Sequence, residues 1–116
     1  MKVVIAGSRD FNNYQLVEET IEKLGLEIDE VVYGGAAGAD YMGLLWARNH
    51  KVKVKTFLAE WTLYGKAAGP IRNREMAKYG DYLLAFWDGQ SRGTKNMIEE
   101  MKRLGKHGEV VYVNSL

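Results

Sequence analysis

Cysteine is absent from the sequence, which removes a disulfide framework and any thiolate metal site. Histidine is scarce: His50 and His107 stand far apart in segments predicted to be connections. They form no metal-binding spacing and read as solvated surface groups, so no metal site is expected. Charge of one sign is also lacking. A net charge of +1 gives no general pull towards a polyanion, so a nucleic-acid partner would need a local basic patch and is not expected. No apolar run is long enough to span a bilayer, and the opening Met1-Lys2-Val3-Val4-Ile5-Ala6 is too short for a secretory signal. A cytoplasmic chain without a membrane partner is the expectation. Repeats, low-complexity tracts and interdomain linkers are missing too, which reads as a single domain over residues 1–116.

What is present is an alternation of short apolar runs and amphipathic segments. Residues 3–6 form a continuous apolar run of the kind buried on both faces of a sheet, stopping at Gly7-Ser8-Arg9-Asp10. Asn12 or Asn13 then caps a helix whose Leu16, Val17, Thr20, Ile21 and Leu24 share one stripe and which ends at Gly25. A strand at 31–33 feeds a glycine-rich turn and a helix starting near Ala39 that carries Met42, Leu44, Leu45, Trp46 and Ala47. Val52, Val54, Thr56 and Phe57 alternate with Lys51, Lys53 and Lys55, the pattern of an edge strand with one wet face.

A polar and aromatic connection, 58–69, leads to Pro70 in the first turn of a helix that runs through Met76 to Gly80. Residues 82–87 make the most apolar strand, placed centrally, and Trp46 and Trp87 read as core. The last helix is expected at 94–104 with Met97, Ile98, Met101 and Leu104 inward, and 109–113 closes the sheet. The expected fold is α/β, a Rossmann-like three-layer sandwich whose five-stranded, mainly parallel sheet carries helices on both faces.

Strand-to-helix turns of such a sheet emerge together at its carboxyl edge. The first offers Gly7, Ser8, Arg9 and Asp10; the second Gly34, Gly35, Gly38, Ala39 and Asp40. The third offers Trp61, Tyr64, Gly69, Arg72 and Asn73; the fourth Asp88, Gly89, Ser91, Arg92, Gly93 and Thr94. Glycines let bare amides approach a ligand, and the helix starting near Ala39 aims its positive end at the same place, a cradle for phosphate or carboxylate. Arginines hold phosphate, aspartates accept from ribose hydroxyls, and Trp61 or Tyr64 can stack on a base. The mixture suits a nucleotide-like molecule better than an apolar one. Plain structural roles stand beside these: Asp40 serves equally as a helix cap, and Thr94 reads as the cap of the last helix.

In order along the chain, Gly7-Ser8-Arg9-Asp10-Phe11, Gly34-Gly35-Ala36-Ala37-Gly38-Ala39-Asp40, Gly69-Pro70-Ile71-Arg72-Asn73 and Asp88-Gly89-Gln90-Ser91-Arg92-Gly93-Thr94 resemble the YspA-type branch of the SLOG superfamily. That group is related to the DNA-uptake protein DprA and to the LOG phosphoribohydrolases, once called lysine decarboxylase-like. The resemblance implies a Rossmann-like fold and a pocket that binds, for sensing or processing, a nucleotide or nucleotide-derived phosphate ligand.

The alternatives it implies are LOG-like cleavage of nucleoside 5′-monophosphates and DprA-like binding of single-stranded nucleic acid. Arg72, with Met76 and Asp81 at matching spacing, resembles the catalytic arginine of the phosphoribohydrolases. Their catalytic glutamate, three residues after a Gly-Thr pair, corresponds here to Met97, leaving Asp40 or Asp88 as the carboxylate that would stand in. No cofactor is required, a bound nucleotide or phosphate is compatible with the site, and the apolar content is compatible with a homo-oligomer.

Overall fold

The computed structural model describes residues 1–114. Strands β1 (Lys2–Gly7), β2 (Glu30–Tyr33), β3 (Lys53–Thr56), β4 (Tyr82–Trp87) and β5 (His107–Tyr112) form one sheet in the order β3-β2-β1-β4-β5. Every neighbouring pair is parallel, so the sheet is parallel throughout rather than mainly so. The α/β Rossmann-like architecture is therefore observed, with five α-helices among the described residues: α1 (Tyr14–Leu24), α2 (Ala39–Asn49), α3 (Trp61–Tyr64), α4 (Ala68–Tyr79) and α5 (Arg92–Arg103).

Strand alternation divides the core into two layers. Val3, Ile5, Val31, Leu84 and Phe86 face Val17 and Ile21 of α1 and Ala39, Trp46 and Ala47 of α2. On the opposite face Val4, Ala6, Val32, Leu83 and Ala85 meet Met76 and Ala77 of α4 and Met97, Ile98 and Met101 of α5. Covering on both faces explains why β1 and β4 are unbroken apolar runs. β3 lies at an edge with Lys53 and Lys55 exposed, as the lysine alternation requires.

Helix ends follow local chemistry. Asn13 Oδ1 accepts from the Leu16 amide at 3.1 Å, and Gly25 closes α1 in the left-handed conformation. Pro70 sits in the first turn of α4, where a missing amide costs nothing.

Several local expectations are corrected. The segment 58–69 is partly helical, holding α3 and a 3-10 turn at Gly65–Ala67, so Trp61 and Tyr64 are helical residues. Helix α5 begins at Arg92 with Ser91 in the cap position, which puts Thr94 inside the first turn instead of at the cap. Leu24 and Leu104 are exposed, and His107 belongs to β5. Trp87 is only half-buried, its indole N–H donating to the Ser91 carbonyl at 3.0 Å.

The site is positioned by the topology. β1 leads to β2 on one side and has β4 on the other, so the chain switches direction between β1 and β4 and opens a crevice at their carboxyl ends.

Candidate functional site

Ser8, immediately after β1, ties three turns together. Its amide donates to the Phe86 carbonyl at 3.0 Å, its Oγ accepts from the Asp88 amide at 3.1 Å, and its carbonyl accepts from the amides of Phe11 and Ala39, each at 3.2 Å. Asp88 in turn accepts from the Gln90 and Ser91 amides at 2.8 and 2.9 Å. Those amide bonds hold the Asp88 carboxyl below the usual carboxylate range. Ser8, Asp88 and the buried Ala39 thus frame the crevice, and none of them lines it.

The crevice itself is a cleft of about 290 Å³, lined on its polar side by Arg9, Asp40, Arg72, Asn73 and the run from Ser91 to Thr94. Its apolar lining comes from Ala6, Met76 and Met97. Asp40 is buried and takes hydrogen bonds from the amides of Ala36, Gly7 and itself. Burial nevertheless outweighs those bonds and the nearby Arg72 charge, and its pKa is pushed up to about 6.

The carboxylate therefore already occupies amides that the glycine-rich turn was expected to offer an anion. It acts as an internal cap at the start of α2 while its group still borders the cleft. Ser91 provides no side-chain cap for α5, its hydroxyl lying 3.2 Å from Thr94 Oγ1. The first turn of α5 thus receives no acceptor from the cap side chain, and its residues Gly93 and Thr94 line the cleft beside Arg92.

Arg72 is positioned from α4. Nη1 donates to the Gly34 carbonyl and Nε donates to Asn73 Oδ1 at 3.1 Å. Asn73 is buried and donates in turn to the Gly93 carbonyl at 3.1 Å and to Asn96 Oδ1 at 2.9 Å. It fixes the guanidinium relative to the start of α5. Burial lowers the Arg72 pKa, and the charge of Arg9 adds to the same direction while Asp40 opposes it.

A second hollow of about 360 Å³ adjoins the first, sharing Arg9, Ala36 and Arg72 with it. Gly34, Gly35, Ala37, Leu58, Ala59 and Trp61 complete its lining. Trp61 therefore borders this outer hollow and not the inner cleft.

The remaining expected site residues lie elsewhere. Asp10 lines a separate hollow with Asn12, Asn13 and Tyr112. Gly89 is exposed on the Asp88 turn, Gly38 packs on the backbone of Ser8 and Arg9, and Gly69 lies within α4, near the Trp61 ring. Leu58 and Ala59 line the outer hollow, and Ala36 and Met76, named above only for their place in the motifs, are lining residues as well; only the fold brings these apolar residues to the rim.

The model of the YspA, cpYpsA-related SLOG family matches residues 1–64, more than half of the chain. The chain belongs to that family. The matched part of this SLOG chain holds Arg9, the glycine-rich turn, Asp40 and Trp61, and ends before Arg72 and α5. The Gene 61 protein of Mycobacterium phage D29 is 34% identical, the alignment covering 90% of each chain. Among solved structures, DNA processing protein A (DprA) from Streptococcus pneumoniae matches 99% of this chain with a TM-score of 0.78 at 20% identity. This SLOG chain spans 51% of the DprA chain, and at that identity the likeness is one of fold.

Proposed function

We propose that the inner cleft binds a nucleotide or nucleotide-derived phosphate, with its phosphate against the start of α5 and its sugar towards Asp40. One observation carries the reading. Arg72 and Arg92, the uncapped first turn of α5 and a single buried carboxylate line the same cleft at the topological switch point. Charge-assisted bonds of about 1.5–3 kcal/mol each from the arginines, together with the helix-end amides, are sufficient for micromolar affinity.

Isothermal calorimetry with AMP and with ribose 5-phosphate tests it. Binding that weakens about tenfold or more in Arg72→Ala and in Arg92→Ala is expected. No heat from either ligand or from inorganic phosphate would overturn the reading.

Binding without turnover is favoured because Met97, fully buried, stands where the resemblance places a catalytic glutamate. A hydrolytic reading draws on Asp40, whose raised pKa puts it near the range useful for proton transfer. In that reaction the C1′–N bond breaks, water supplies hydroxyl to C1′ and a proton to the departing base. Chromatography of AMP incubations decides it: free adenine that disappears in Asp40→Asn supports hydrolysis, and none above blank removes it.

A further inference from the structure

The sheet ends on two strands whose outer edges differ. β3 carries Lys53 and Lys55, both exposed, and an edge bearing lysines resists pairing with another strand. β5, at the opposite end, holds neither lysine nor proline. Lys106 immediately precedes it but is turned inward, its Nζ donating to the carbonyls of Ala77, Lys78 and Gly80 at 2.6, 3.0 and 2.7 Å. The β5 edge is left unguarded.

Backbone alternation fixes which groups of β5 face outward. The Val113 amide donates to the Trp87 carbonyl at 2.9 Å, so the N–H and C=O groups of Val113, Val111, Glu109 and His107 point towards β4. Those of Gly108, Val110 and Tyr112 point away from it, where no other described strand pairs. These three residues are spaced symmetrically about Val110. A second copy of the strand, antiparallel about a two-fold axis at Val110, sets Val110 against Val110 and Gly108 against Tyr112, and every outward amide and carbonyl of the three finds a partner.

We propose that β5 is a self-association edge, through which two copies of the chain join β5 to β5 in that register as one continuous sheet. Side chains fit it. Tyr112 is 71% exposed, its ring 5.9 Å from that of Trp87, while the exposed Gly108 presents bare backbone on the same side of the sheet. Across the axis the phenol ring of one copy covers the glycine of the other. Charges agree as well: Glu109 meets Val111 and His107 meets Val113, so no charged side chain directly opposes a like charge. The two Glu109 side chains lie diagonally across the axis, and each shares a hollow of about 320 Å³ with Lys23, Leu16, Leu24 and Val111 of its own chain. Pairing β5 with the β3 edge instead would be head-to-tail and meet the lysines, whereas the β5 pair closes on itself. None of the paired residues lines the cleft.

Sedimentation equilibrium of the whole chain, from about 1 μM to about 1 mM, is expected to reach twice the mass of one chain. Val110→Pro removes an amide that serves only the outer edge, and Tyr112→Lys puts a lysine at an exposed edge position. Each variant is expected to raise the dimer dissociation constant by about tenfold or more while keeping the folded circular dichroism spectrum. The sequence has no cysteine, so Val110→Cys places a single thiol at the axis. Hydrogen-bonded antiparallel partners stand about 5.5 Å apart between Cα atoms, within disulfide range, and mild oxidation is expected to cross-link this variant but not Lys53→Cys on β3. A monomer throughout the concentration range overturns the proposal, even where β5 accepts a strand from another protein. A dimer unchanged in both edge variants, or one that cross-links as readily through Lys53→Cys as through Val110→Cys, overturns it as well.

Discussion

Gly34 occupies the narrow space between the two groups with opposite charge in the cleft. A Cβ there would stand 2.9 Å from Asp40 Oδ2 and 3.3 Å from Arg72 Nη1, so only a bare backbone lets both side chains keep their places. Gly38 is constrained more severely. Its φ of 76° lies in the left-handed region, and a Cβ would come within 2.2 Å of the Ser8 carbonyl oxygen. Gly38→Ala is expected to cost more than about 2 kcal/mol, read as a lower midpoint in urea unfolding.

Asp40 makes a prediction with a definite sign. Its folded pKa of about 6 lies above the ordinary 3.8, so between those pH values the native state holds more proton than the unfolded one. Stability contributed by this group therefore falls as pH rises from about 4 to about 6 and is flat beyond, a penalty on the order of 2–3 kcal/mol when complete. Asp40→Asn is expected to be relieved of that penalty. The difference in melting temperature between variant and wild type should move in favour of the variant on going from pH 4 to pH 7.

At the scale of elements, the contact between α4 and α5 matters most for the cleft, because Arg72 comes from one helix and the lining residues Arg92, Gly93 and Thr94 from the other. Asn73 joins them through the Gly93 carbonyl and Asn96. Asn73→Ala leaves buried polar partners unsatisfied and is expected to cost about 1–3 kcal/mol in urea unfolding. It should also weaken AMP binding although the residue makes its bonds within the protein.

The elements show where sequence reasoning succeeds and where it stops. Strands β1 and β4 were legible because burial on both faces leaves a continuous apolar run, and α1 because Asn13 and Gly25 mark its ends chemically. Helix α3 was hidden. Its Trp61–Tyr64 has no side-chain cap and is one turn long, too short to show a period. Leu24 and Leu104 continue apolar stripes that the pattern extends past the last covered turn, and both remain exposed. Helix α5 starts two residues before the position its apolar pattern marks, because Asp88 organises the preceding turn and leaves Ser91 at the cap position. Which turns border the crevice was readable from the alternation of strands and helices. Which amides were already occupied by Asp40 depended on contacts between turns far apart in the chain.

Across the whole molecule, the two-sided burial of β1 and β4 contrasts with the exposed edge strand β3 and the exposed α3. Native-state hydrogen exchange is expected to be slowest for β1 and β4 and fastest in β3 and across 58–67. No helix among the described residues is long and apolar enough to cross a membrane. The strands expected to exchange slowest are also the ones whose ends support the cleft. Ser8, with its bonds to Phe86, Phe11, Ala39 and Asp88, anchors its rim directly to them. A rim anchored that way is preorganised: a guest meets donors already at their stations and repays little disorder on arrival, so its affinity should depend more on fit than on induced closure.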